Sequence, residues 1–72
     1  MTDISTLKKD DRIVFSNGHE SPVMRVIDVE NFLNIHFVSE KGGETNLYFN
    51  KETGEAPGTH YEIVKVIRNG SN

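Results

Sequence analysis

The run Ser16-Asn17-Gly18-His19-Glu20-Ser21 sets serine, histidine and a carboxylate within six residues, the groups that nucleophilic acyl transfer needs. A triad works by convergence from separate elements, with the base oriented by a third group and an oxyanion site beside it. Six consecutive residues cannot converge in that way, and Asn17-Gly18 between apolar runs is a hairpin signal, so the segment reads as a turn. His19, His36 and His60 are candidate metal ligands, but no pair has zinc-site spacing and the chain has no cysteine. Glu52 and Glu55 are a pair of carboxylates in a Gly/Pro-rich stretch, where no pocket is expected to shift one of them for acid–base work. Lys41-Gly42-Gly43-Glu44 is too short for a phosphate loop and lacks the closing Lys-Ser/Thr. No enzyme centre, metal, cofactor or small-molecule substrate is expected.

The elements that must position these residues follow from turn chemistry. Asn17-Gly18, Glu30-Asn31, Lys41-Gly42-Gly43, Thr53-Gly54 and Pro57-Gly58 punctuate the chain. Between them lie β-branched and aromatic runs at 12–15, 22–29, 32–38, 45–49 and 61–67. With no helical periodicity between them, they predict an all-β domain, a small five-stranded antiparallel barrel. Alternation puts Leu33, Ile35, Phe37, Leu47 and Phe49 inside, together with Ile13 and Phe15. The 22–29 run is apolar on both faces, as expected of a bent strand shared by two sheets. Ile4 to Leu7 is expected to form a short turn closing one end, and 51–60 a surface loop. One domain over 1–68 and a disordered tail over 69–72 complete the expectation.

Leu7-Lys8-Lys9-Asp10-Asp11-Arg12-Ile13-Val14-Phe15 resembles the opening of SH3-like barrels of the KOW type, where a Leu-x-x-Gly-Asp-x-Val phrase leads a loop into the first strand. Asp10 stands where that phrase has glycine. Phe15-Ser16-Asn17-Gly18 with Ser21-Pro22-Val23-Met24-Arg25-Val26 is similar to short uncharacterised SH3-like proteins of bacteria and their phages, as is the segment from Leu47-Tyr48-Phe49-Asn50 to Gly54. The resemblance implies an SH3-like barrel and a bacterial or phage origin, and it carries over no catalytic residue.

Eight Lys and Arg against eleven Asp and Glu give a net charge of -3 over 72 residues. The cations are interspersed with acids, which disfavours nucleic-acid binding because phosphate contacts need gathered positive charge. No apolar run approaches the ~20 residues of a bilayer span. Met1 to Thr6 has neither a basic start nor an apolar stretch, so no secretory leader is expected. The expected setting is a bacterial cytoplasm, or a host cytoplasm for a phage protein.

The outward positions are not uniformly polar. If Leu33, Ile35 and Phe37 point inward, Phe32 and Val38 point outward, as do Tyr48 and Val14. Outward aromatics are enriched at protein interfaces. The leading expectation is therefore a non-enzymatic protein-binding module, an accessory protein docking on a host or partner protein. Val14, Phe32, Val38 and Tyr48 would be its contacts and Arg25 part of its polar rim. The acidic balance favours a basic partner, and self-association as a homodimer is the other outcome. The alternative is a nucleic-acid-associated domain of the transcription or translation type. It would place Lys8, Lys9, Arg12 and Arg25 on phosphates and stack Tyr48 or Tyr61 on a base.

Overall fold

Period-two burial and tight turns organise the chain from its first strand onward. The structure is a computed structural model and describes residues 1–69. Strand β1 (Arg12–Phe15) buries Ile13 and Phe15 and turns Arg12 and Val14 outward. At the Asn17-Gly18 turn Gly18 takes a φ of 92°, and the chain returns as β2 (Glu20–Pro22). Strand β3 (Arg25–Val29) pairs with β4 (Phe32–Val38) across the two-residue loop Glu30-Asn31. Strand β5 (Glu44–Asn50) follows the glycine turn after β4, and β6 (Ile63–Ile67) pairs with β1. No helix occurs among the described residues.

The run at 22–29 does not stay one strand. Val23 still exchanges hydrogen bonds with the chain before β1, its N–H donating to the Asp11 carbonyl and its carbonyl accepting from Asp10 N–H. One residue later, Met24 N–H donates to the His36 carbonyl of β4. Val23 is fully buried and Val26 packs on the core from the other side of this bend, so a run apolar on both faces serves two sheets. The result is six strands in two antiparallel sheets, ordered β2-β1-β6 and β3-β4-β5. The expected five-stranded barrel is corrected in this respect: hydrogen bonds do not close the strands into one barrel, and the two sheets pack together instead. They meet through Ser21, whose buried Oγ accepts Val38 N–H and donates to the Pro22 carbonyl. They also meet at Gly54, whose N–H donates to Asn50 O while its carbonyl accepts Ile63 N–H.

The buried apolar residues form one cluster. Phe15 and Ile63 face Leu33, Ile35, Phe37 and Phe49, with Ile4 and Leu7 closing one end as the sequence predicts. Phe15, Phe37 and Phe49 pack ring on ring at centroid separations of 5.2–6.0 Å. Tyr61 stands edge-on to Phe15 and Phe37, so its ring belongs to the core and not to an open stacking platform. Leu47 is only half-buried, because β5 lies at a sheet edge.

The 51–60 segment is more ordered than a plain surface loop. Asn50 Oδ1 accepts the N–H groups of Glu52 and Thr53, Glu55 pairs with Glu62, and Ala56 enters the core. Asp10 has a φ of 78°, the left-handed conformation that glycine would supply at that position. Beside it Asp11 is buried, accepting the N–H groups of Lys8 and Asn69 and ion-paired to Arg68 at 3.3 Å. Asn69 is thereby tied to the domain, and the remaining tail positions, 70–72, lie outside the described residues.

Candidate functional site

Residues paired across neighbouring strands share a face, so register alone sorts the second sheet. Val29 pairs with Phe32 and Phe32 with Asn50; Ile27 pairs with Asn34 and Asn34 with Tyr48; Arg25 pairs with His36 and His36 with Asn46; Val38 pairs with Glu44. The opposite face carries Leu33, Ile35, Phe37 and Phe49 into the core. The outer face thus has an apolar half of Ile27, Val29, Phe32 and Tyr48, and a polar half of Arg25, His36, Glu44 and Asn46. Tyr48 is 54% exposed and Ile27 and Val29 are each 37% exposed.

Of the predicted contact residues, Phe32, Val38, Tyr48 and Arg25 share this face. Val38 lies at the far end of β4, six residues and roughly 20 Å from Phe32. Val14 does not belong with them: it lies on the outer face of the first sheet, paired with Glu20 and Lys65. Outwardness along each strand was readable from alternation, but which outward residues share a sheet depends on pairing. Ile27 and Val29 were missed as partners of Phe32. The signal for them was the Glu30-Asn31 loop, since residues flanking a two-residue turn are paired and share a face.

Asn34 sits at the centre of the face and is only 6% exposed, although its register puts it on the outer side of β4. Its neighbours cover it, and both ends of its amide are satisfied. Nδ2 donates to Asn46 Oδ1 at 3.1 Å, and Oδ1 accepts from His36 Nε2 at 3.1 Å. Nδ2 also faces the Leu47 carbonyl at 3.4 Å, which can only accept, so Oδ1 is the atom turned to His36 and the ring Nε2 is the donor in that contact. His36 Nδ1 lies 3.6 Å from Glu44 Oε2. This amide–imidazole–carboxylate row offers polar contact beside the apolar half.

The other candidate residues serve the fold. His19 Nε2 donates to the Val38 carbonyl at 2.8 Å while its ring stacks on Phe15, tying the first hairpin to β4. Glu40 accepts from Asn17 and pairs with His60 at 3.1 Å, so three loop tips meet at one end. No cluster of three or more His, Cys, Asp or Glu able to hold a metal occurs among the described residues. Of the cations considered for phosphate contact, Lys8 and Lys9 are exposed before β1, Arg12 lies on the first sheet beside Glu20 at 3.5 Å, and Arg25 lies on the second sheet. The structure does not gather these four on one face. No helix among the described residues is long and apolar enough to cross a membrane.

Fold and site together define a small two-sheet, all-β domain with a mixed aromatic and amide outer face. Comparison with protein-family models, with curated proteins and with solved structures returns no match to the chain.

Proposed function

We propose that this chain is a non-enzymatic protein-binding module of the SH3-like kind, working in a bacterial cytoplasm or in that of a phage's host and docking through the outer face of the second sheet. One observation carries the reading: Ile27, Val29, Phe32 and Tyr48 lie together on one face, with Tyr48 more than half exposed. A rigid aromatic ring beside aliphatic groups and satisfied amides gives large contact area at low entropic cost. The acidic balance of the chain favours a basic partner and steers encounter more than it sets affinity.

The test compares Phe32→Asp and Tyr48→Asp with Val14→Asp on the other sheet, each first shown to be folded by circular dichroism. The two second-sheet variants are expected to lose partner capture or self-association, and Val14→Asp to retain it. If all three bind and sediment like the parent, the outer face of the second sheet is not the docking surface.

A further inference from the structure

We infer that the free edge of β5 takes up an extended basic peptide as an added strand, with one of its apolar side chains seated in the cleft between β5 and the 56–59 loop. This rests on the protein-docking reading above and specifies its partner and geometry. In an antiparallel strand the N–H and C=O of one residue point the same way and alternate from residue to residue. Asn50 turns both away from β4, its N–H to Glu55 O at 2.8 Å and its carbonyl to Gly54 N–H at 2.9 Å. By alternation Asn46 and Tyr48 turn theirs the same way, and neither has a backbone partner there among the described residues. The chain that pairs with Asn50 swings off after Glu55, because Ala56 N–H turns to the Tyr61 carbonyl. That divergence opens a cleft of about 430 Å³ beside Asn46 and Tyr48, walled by Phe32, Leu47, Tyr48, Ala56 and Pro57.

The edge lacks the devices that keep strands from pairing. The β2 edge carries Pro22, β3 carries Arg25 and Asp28, and β6 carries Lys65, whereas β5 has no proline and a single charge, Glu44, at its start. Charge selects the occupant. Residues 24–59, which build the second sheet and its loops, hold six acids against three cations, while the rest of the chain holds five of each. The net charge of -3 is therefore carried by the segment that contains the open edge. A strand with lysine or arginine flanking one large apolar residue meets all three features: unpaired backbone, apolar cleft and acidic surround.

The experiment titrates the full chain, amide by amide in NMR, with a blocked peptide of about eight residues alternating lysine and valine around a central phenylalanine. Three further probes are its glutamate counterpart, a version with alternate backbone amides methylated, and a single-stranded oligothymidylate. The basic peptide is expected to bind at least about tenfold tighter than the acidic one at low salt. It should shift and protect the Asn46 and Tyr48 amides and move those of residues 56–59, and methylation should abolish this. Binding that survives methylation, with shifts confined to Ile27, Val29 and Phe32, overturns strand addition while leaving the docking face intact. Absence of binding by the basic peptide, tighter binding of the oligothymidylate, or a dimer by light scattering whose Asn46 and Tyr48 amides are already protected without peptide also overturns it; the face variants above then decide the docking reading separately.

Discussion

The two sheets share one core but present opposite outsides. On the first, Arg12 is ion-paired with Glu20, Val14 lies between Glu20 and Lys65, and Asp11, just before β1, clamps Lys8, Arg68 and Asn69 together. On the second, Ile27, Val29, Phe32 and Tyr48 lie open beside a hydrogen-bonded amide row, and the outward backbone groups of Asn46 and Tyr48 on the β5 edge have no backbone partner among the described residues. The first sheet also exposes Val64 and Ile67 on β6, but these are single aliphatic groups beside Lys65 and Arg12. No aromatic ring among the described residues joins them, and isolated apolar groups of that kind are common on solvated surfaces. Apolar groups exposed together with an open edge are a hazard that folded proteins usually avoid. On the proposed reading, the first sheet anchors the chain and the second meets the partner.

Gly54 couples the two sheets, and its substitution is expected to have the largest effect. Its φ is 79°, and a Cβ there would lie 2.6 Å from the Ile63 carbonyl oxygen and 3.2 Å from that of Thr2. Both neighbours are backbone and cannot swing aside. Gly54→Ala combines the left-handed penalty with overpacking, about 3–5 kcal/mol in all. For a chain of this size that lowers the melting midpoint by roughly 15–30 °C. Thermal unfolding followed by circular dichroism measures it, and a midpoint within a few degrees of the parent would mean that the sheets are not joined there.

Asp11 tests the anchoring half. Burial pushes its carboxyl up, but the N–H groups of Asn69 and Lys8 and the Arg68 guanidinium outweigh that and hold it below the ordinary value of 3.8. A lowered carboxylate stabilises the fold above its unfolded value, and the contribution is lost as pH falls through the folded one. Asp11→Asn is expected to cost about 2–3 kcal/mol at neutral pH, since an amide cannot accept from all three donors. The gap to the parent should close as the pH falls below 3.8. Denaturant midpoints of both proteins across that range check the sign; a constant gap would remove the carboxylate from the clamp. Peptide binding at β5, measured on folded protein at neutral pH, should be unchanged.

The strands and the inward residues were legible because alternation is local: Leu33, Ile35, Phe37 and Phe49 each announce their side within a few positions. The break at Val23-Met24 was half legible, since a run apolar on both faces must serve two sheets, but where it bends depends on hydrogen bonds to Asp11 and His36 that lie far off in sequence. Val14 and Phe32 looked alike as outward apolar residues, and only strand pairing separates them. The cleft was not legible at all. It depends on where the chain leaves Asn50 after Glu55, and in sequence the polar, Gly/Pro-rich stretch around Ala56 gives no sign that Ala56 is buried.

The smallest expected effect lies on the second sheet, at the β3–β4 turn. Glu30 holds a φ of 54° in the tight β3–β4 turn, a conformation that costs a side-chain-bearing residue energy and glycine none. Glu30→Gly relieves that strain but loosens the unfolded chain, so the net gain is about 0.5–1 kcal/mol, a rise of roughly 2–8 °C in the melting midpoint. The same change removes one of the six acids around the second sheet. If that charge steers a basic strand to β5, the more stable variant should bind the lysine peptide less well, by up to about twofold at low salt and not at all differently at high salt. Stability and binding then move in opposite directions on one substitution. Equal affinity at low salt would mean that the acidic surround plays no part in choosing the occupant of the edge.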